Sequence, residues 1–231
     1  MSHRCVARGF DFVGADAKRA LMSACSSRFV NNNQIIYLQD DETSNLYFVY
    51  SGLVRLSYFM EDGSAVLCDV ISSGACFGEL GVLDGGSYGD MAMSIGASTI
   101  LSVPAEVFWK LCEAHAELKE ALAASVAYRY RSYIEFARLL SLKSLRARVA
   151  RSLLRITDNL GKVATYNGSQ VPCTIPEITQ TDLGLMARGS RSGVNRVLNE
   201  WVQKGMISIR ERTVLIINRD AIEDCGYEGD I

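Results

Sequence analysis

The sequence predicts an α+β chain: a region of short strands, one long helix, and a smaller helical region closed by a hairpin. Three observations predict it. Residues 34–103 break into short runs rich in β-branched and aromatic residues. Residues 118–142 carry apolar side chains at unbroken helical spacing. Residues 178–217 hold two helix-capping signals in quick succession and then two strand-sized runs.

A chain of 231 residues, 48% of them hydrophobic, can bury the cores of two modest domains. The pattern divides it into a strand domain at 1–117, a helix at 118–143 and a helical domain at 144–231. The longest nearly apolar runs, 99–103 and 213–217, are far too short to cross a bilayer. The opening MSHRCVARGFDF has no apolar stretch of a secretion signal, so a cytoplasmic chain with no membrane partner is expected. Seven cysteines, at 5, 25, 68, 76, 112, 173 and 225, are odd in number and show no C-x-x-C spacing. Reduced thiols are expected, without an iron–sulfur site. His3 and His115 are the two histidines. A metal enzyme on a β roll needs a cluster of His and carboxylate ligands, so neither catalysis nor a metal or other cofactor is expected.

Charge is segregated beneath a net −2. Residues 1–143 balance to −4, residues 144–219 to +7 and residues 220–231 to −5. The basic segment suggests a polyanion partner, with a solvated charged face as the alternative.

Strands are expected at 34–38, 46–50, 53–59, 65–71, 91–95 and 99–103. The turn signals between them include Ser51-Gly52, Glu61-Asp62-Gly63 and Asp84-Gly85-Gly86. Such regular short strands make a sandwich or a jelly roll. Pro104 suits the first turn of a short helix over 105–115. In the long helix, Leu118, Leu122, Val126, Tyr130, Tyr133, Ala137 and Leu140 step by three and four, close to a coiled-coil seam. A helix packed on its own sheet is one reading. A second copy meeting the seam from Leu122 to Leu140 is the more economical one. Ser144 then caps a new helix whose stripe is Leu145, Val149, Leu153, Ile156 and Leu160, ended by Gly161. Arg146, Arg148, Arg151 and Arg155 lie mostly off that stripe, and 161–172 reads as a loop.

Thr179 and Asp182 form a T-x-x-D cap ahead of Leu183, Leu185 and Met186. Arg188-Gly189 offers a tight turn, with the glycine expected at positive φ. Ser190 caps a second helix with Val194, Val197, Leu198 and Trp201 inward. Arg191, Ser192, Asn195 and Arg196 then face outward. Gly205 ends this helix, and 206–210 with 213–217 form a hairpin tipped by Glu211-Arg212. Two short helices, a tight turn and a wing are the parts that seat a helix in a DNA major groove.

The stretch ITQTDLGLMARGSRSGVNRVLNEWVQKGMISIRERTVLII resembles the winged helix of the cyclic-AMP receptor/fumarate-nitrate regulator (CRP/FNR) superfamily. NLYFVYSGLVRL and FGEL resemble its sensor domain, and the long helix resembles its dimerisation helix. The resemblance implies a jelly-roll sensor, a homodimer on double-stranded DNA, contact with RNA polymerase, and DNA affinity controlled from the sensor. Arg191 and Arg196 match the family's base-reading arginines, whose planar fork suits guanine O6 and N7. Ser192 stands where the family often has Glu, and Asn195 is placed to reach adenine. Gly193 replaces the common Thr, at a helix cost of about 0.5–1 kcal/mol relative to Ala. Thr179, Gln180, Thr181 and Ser190 match phosphate positions, with Arg210 and Arg212 of the wing as further phosphate candidates.

Phe77-Gly78-Glu79-Leu80 resembles the family's phosphate-binding cassette, which also needs an arginine about ten residues on. None occurs between Arg55 and Arg129, and the aligned stretch presents Asp90 instead. Tyr133 and Ile134 stand where cyclic-AMP responders carry small hydroxyl residues. Cyclic AMP is therefore not expected to switch this chain, and FGEL reads as mainly structural. Met91, Met93 and Ile95 share a strand face, with Phe77, Tyr88 and Tyr133 placed nearby. They pack the core or, on the sharper reading, line a pocket for an apolar or aromatic effector. Haem is not expected, since neither histidine matches a ligand position. The competing reading is a nucleotide-responsive regulator or regulatory subunit with a non-standard phosphate site.

Overall fold

The computed structural model of the protein describes residues 10 and 12–227. His3, Cys5 and the last acidic residues lie outside them. The chain divides into two compact units, Met1–Phe59 with Ile71–Tyr133, and Met60–Val70 with Ile134–Ile231.

Helix α1 (Ala15–Ala24) leads into strands β1 (Ser26–Val30), β2 (Ile35–Tyr37), β3 (Asn45–Phe59), β4 (Ala65–Ser72) and β5 (Cys76–Phe77). The short helix α2 (Glu79–Asp84) precedes β6 (Met91–Pro104), α3 (Ala105–Ala114) and the long α4 (Ala116–Ser141). The sheet runs β1-β6-β3-β4, with β2 on β6 and β5 on β3. The expected strands 46–50 and 53–59 are one continuous strand, as are 91–95 and 99–103. Ser51-Gly52 is a bulge rather than a turn: the β3–β6 register shifts on both sides of Ser51. Gly52 has φ +87°, and a Cβ there would collide with the Ser98 hydroxyl. That hydroxyl instead bonds the Leu53 N–H and C=O, each at 3.1 Å.

One apolar cluster packs Ala17 and Leu21 of α1, Phe108 of α3, and Leu118 and Leu122 of α4 around Leu46 and Val103. Leu122 is thus wholly buried inside the chain's own core and drops out of the expected seam. The physical reason is that steps of three and four fit two neighbouring stripes. The stripe through Leu118, Leu122, Ser125 and Arg129 faces inward. Tyr130 and Ala137 are exposed, while Val126, Tyr133 and Leu140 are half-buried.

The second unit carries α5 (Leu145–Leu160), the hairpin β7 (Val163–Tyr166)–β8 (Ser169–Pro172), α6 (Gln180–Ala187), α7 (Arg191–Gln203), the hairpin β9 (Ile207–Arg210)–β10 (Thr213–Ile216), and α8 (Arg219–Cys225). Ser144 caps α5 by accepting from the Ala147 N–H, and Gly161 closes it in a left-handed conformation. The expected loop 161–172 contains the β7–β8 hairpin. Asn167 and Gly168 both take positive φ, the pairing a tight two-residue hairpin turn requires. Helix α5 packs on α6, α7 and α8. Val149, Leu153, Ile156, Leu183, Val194, Leu198 and Trp201 supply buried surface. Among the described residues, no helix is long and apolar enough to cross a membrane.

Candidate nucleic-acid interface and sensor cavity

The second unit builds its exposed basic face from two caps. Thr179 and Asp182 form a complete capping box on α6. Ser190 caps α7 by accepting from the Gly193 N–H at 3.1 Å, and its hydroxyl lies 3.0 Å from that of Ser192. With Val194, Leu198 and Trp201 buried, Arg191, Ser192, Asn195 and Arg196 are all exposed at the opposite side. Gln180 of α6 donates to Asn195 Oδ1 at 3.2 Å, so the two helices meet at this face. The turn between them differs from expectation. Arg188, not Gly189, takes the left-handed conformation, with φ 46°. Gly189 instead makes room for Leu145, whose Cδ1 would have to shift for a Cβ there.

Thr179 leaves the phosphate candidates. Its N–H and its hydroxyl both donate to Asp182 Oδ2, at 2.8 and 2.7 Å, so no donor remains for a phosphate oxygen. Gln180 is half-buried, and Thr181 and Ser190 are exposed. In the wing, Glu211 and Arg212 both take positive φ at the tip. Arg210 stacks over the Tyr166 ring of β7, 4.9 Å from its centroid.

Much of the basic charge on α5 is used internally. Arg146 pairs with Glu200 at 3.0 Å. Arg148 donates to the carbonyls of Ala187, Leu142 and Lys143 at 2.7, 2.8 and 2.9 Å. Arg151 lies over Tyr227. Arg155 approaches the buried Asp69 at 3.6 Å, and Asp69 also accepts from Asn159. The exposed arginines of the helix-turn-helix and wing are Arg188, Arg191, Arg196, Arg210 and Arg212, and Lys143, Lys162 and Lys204 are exposed as well.

The first unit has a small cavity lined by Tyr37, Gly78, Glu79, Leu80, Gly81, Tyr88, Gly89, Asp90, Arg129 and Tyr133. Its volume is about 10 Å³, on the order of a single water molecule. Side chains fill the rest. Asp90 accepts from Tyr37 on one oxygen and from Tyr133 of α4 on the other, each at 2.8 Å. The Tyr37 and Tyr88 rings stack at 3.8 Å. Glu79 pairs with Arg129 at 2.8 Å, both almost wholly buried, and Arg129 also donates to the Cys76 carbonyl. Burial pushes the Glu79 carboxyl above its ordinary range, and the Arg129 charge pulls it part of the way back. Burial, and then Asp90, push the Tyr37 phenol well up, so it remains a donor.

Of the residues expected at an effector pocket, Gly78, Glu79, Leu80, Tyr88 and Tyr133 line this cavity. Phe77 does not: it is wholly buried and stacks on Tyr47. Met91 lies in the core, Met93 is half-buried, and Ile134 is exposed on α4. Sequence reasoning missed Tyr37 and Arg129. They are distant in the chain from FGEL, and only β2 and α4 bring them to it.

The family model for the cyclic nucleotide-binding domain matches residues 27–115, and that for the Crp-like helix-turn-helix domain matches residues 147–225. The cAMP-activated global transcriptional regulator Vfr of Pseudomonas aeruginosa is 25% identical over 201 residues, covering 85% of this chain and 91% of Vfr. The cyclic AMP receptor protein of Thermus thermophilus is 27% identical over 207 residues, covering 89% and 90%. The structure of FixK2 from Bradyrhizobium japonicum has the same fold, with a TM-score of 0.75 at 20% identity, covering 87% of this chain and 96% of its own. With a sensor domain of one matched type and a helix-turn-helix of the other in a single chain, this protein belongs to the CRP/FNR family of DNA-binding transcription regulators.

Proposed function

We propose that two copies of this chain bind a near-palindromic operator through α7, and that cyclic AMP does not switch them. The observation that carries the DNA half is the division of α7: one side is wholly buried at Val194, Leu198 and Trp201, the other exposes Arg191, Ser192, Asn195 and Arg196. In a two-fold dimer the half-sites would lie about 34 Å apart, one helical turn. Arg191 and Arg196 meet base edges, while Gln180, Thr181, Ser190, Arg210 and Arg212 meet phosphates. The dimer forms along α4 through Val126, Tyr130, Tyr133, Ala137 and Leu140. The motive is the helical spacing of these positions, with Tyr130 66% exposed in the single chain. RNA polymerase is the further partner we assign.

The effector half rests on the cavity. Drug-sized ligands occupy about 300 Å³ or more, and here Asp90, Tyr37, Tyr133 and the Glu79–Arg129 pair take that space. This closed arrangement supports a sensor that cyclic AMP does not enter, whether it works unliganded or with an apolar or aromatic effector. A nucleotide-responsive regulator is the second reading, favoured by the relatives named for cyclic AMP.

Two measurements test the proposal. Arg191→Ala and Arg196→Ala should each cost about 1–3 kcal/mol on the operator and much less on scrambled duplex. Equal losses on both duplexes would remove the base-reading assignment. Calorimetry with millimolar cyclic AMP should show no saturable heat. Micromolar binding that tightened DNA affinity would establish the second reading instead.

A further inference from the structure

The strongest unassigned feature lies behind the reading helix. Leu145, the first residue of α5, projects its side chain between two glycines. A Cβ at Gly189, in the helix-turn-helix turn, would collide with Leu145 Cδ1. A Cβ at Gly193, in the first turn of α7, would lie 2.7 Å from Leu145 Cδ2. One leucine therefore occupies the space that two side chains would need. Three residues on, Arg148 straps the same region from the other direction. Its guanidinium takes the last carbonyl of α6, Ala187, together with the carbonyls of Leu142 and Lys143 that precede α5. Five donors in a rigid plane can hold three carbonyls at once, which an ammonium on a flexible stem does less well.

We infer that Leu145 and Arg148 are positioning residues for DNA reading: the knob in the Gly189–Gly193 hole and the strap on Ala187 set the pose of the first turn of α7. The consequence is for specificity. Arg191 and Ser192 sit in that turn, and a base-edge contact depends on their direction far more than a phosphate contact does. Gly193, which weakens α7 as a helix, is retained because Leu145 fills its place. The inference rests on α7 being the element that reads DNA.

The test exchanges volume across the contact. Leu145→Ala empties the hole, and Gly193→Ala overfills it. Each should lower operator affinity about tenfold while changing affinity for scrambled duplex about twofold or less. The double variant L145A/G193A puts a methyl group back where the leucine was, and should recover at least half of the logarithmic loss. Arg148→Lys, which keeps the charge, should lower operator affinity about fivefold with the same selectivity. Thermal unfolding is measured on every variant, and each comparison is made well below the lowest Tm. If Leu145→Ala does not fold, Gly193→Ala and Arg148→Lys still carry the test. A double variant no better than the worse single, or parallel losses on operator and scrambled DNA, would overturn the inference. Arg191→Ala is run alongside. If it keeps full operator affinity, the DNA-reading assignment itself fails; if it alone loses affinity, only the positioning role fails.

Discussion

The cavity of the first unit and the exposed face of α7 in the second are built from the same kinds of side chain and use them in opposite ways. In the cavity, each charged group meets a partner from its own chain: both oxygens of Asp90 take phenols, and Glu79 takes Arg129. On α7, Arg191, Ser192, Asn195 and Arg196 are left exposed on a rigid support. Polar groups closed on one another specify a shape, while polar groups held out on a fixed backbone specify a partner. The same contrast recurs inside the second unit, where the arginines of α5 are taken up within the fold and those of α7 stay exposed.

The largest way to break that contrast is to remove one member of the buried ion pair. Arg129→Leu leaves the buried Glu79 carboxyl without its counter-charge and should cost about 3–5 kcal/mol near neutral pH. The pH dependence has a definite sign. Losing the guanidinium removes the charge that holds the raised Glu79 pKa down, so it rises further. A carboxyl whose folded pKa is raised contributes stability that is present at low pH and lost as pH climbs from the unfolded to the folded value. The penalty of Arg129→Leu should therefore be smaller at pH 5 than at pH 8 in denaturant unfolding. A pH-independent penalty would mean that Glu79 escapes to water in the variant.

A smaller effect sharpens the picture of Asp90. Asp90→Ala takes away the acceptor that Tyr37 and Tyr133 share, and the buried Tyr37 hydroxyl should cost about 1–3 kcal/mol when left unsatisfied. Asp90→Asn should cost less, because a phenol can turn to accept from an amide N–H. If both variants unfold at the wild-type denaturant concentration, the two phenols do not depend on Asp90 for stability.

The helix-turn-helix was legible because its signals are local. A Thr-x-x-Asp box, a serine cap and an apolar period each span fewer than about eight residues. The β7–β8 hairpin carried an equally local signal, Asn167-Gly168, but flanking runs of four residues alternate too briefly to stand out from a loop. The turn at Arg188 misled for a different reason. A glycine invites the positive φ, yet Gly189 is held by a contact with Leu145, 44 positions away, that no local pattern contains. The α4 seam was displaced by one residue at Leu122 because periodicity gives a face without saying what covers it. In the sensor, the absent arginine and the aspartate in its stead were visible in the sequence. Tyr37 and Arg129, the groups that close the cavity, were not.

The smallest expected effect separates the two wing arginines. Arg210 lies over Tyr166, whereas Arg212 sits at the hairpin tip in a left-handed conformation. An exposed cation–π contact is worth about 0.5–1 kcal/mol. On the docking proposed above, the contact would hold the guanidinium where a phosphate would meet it, since β7 and the wing strands are separate hairpins. Tyr166→Leu keeps the charge of Arg210 and removes only the platform. Affinity for scrambled duplex should then fall about two- to fivefold at one salt concentration, with the slope against salt unchanged, because the number of phosphates neutralised is the same. Arg210→Ala should instead flatten that slope by about one unit, as should Arg212→Ala. The double variant Y166L/R210A should match Arg210→Ala alone, since the ring acts only through the arginine. A further loss in the double variant would mean that Tyr166 touches DNA itself, and the reading face would then extend from α7 across the wing to β7.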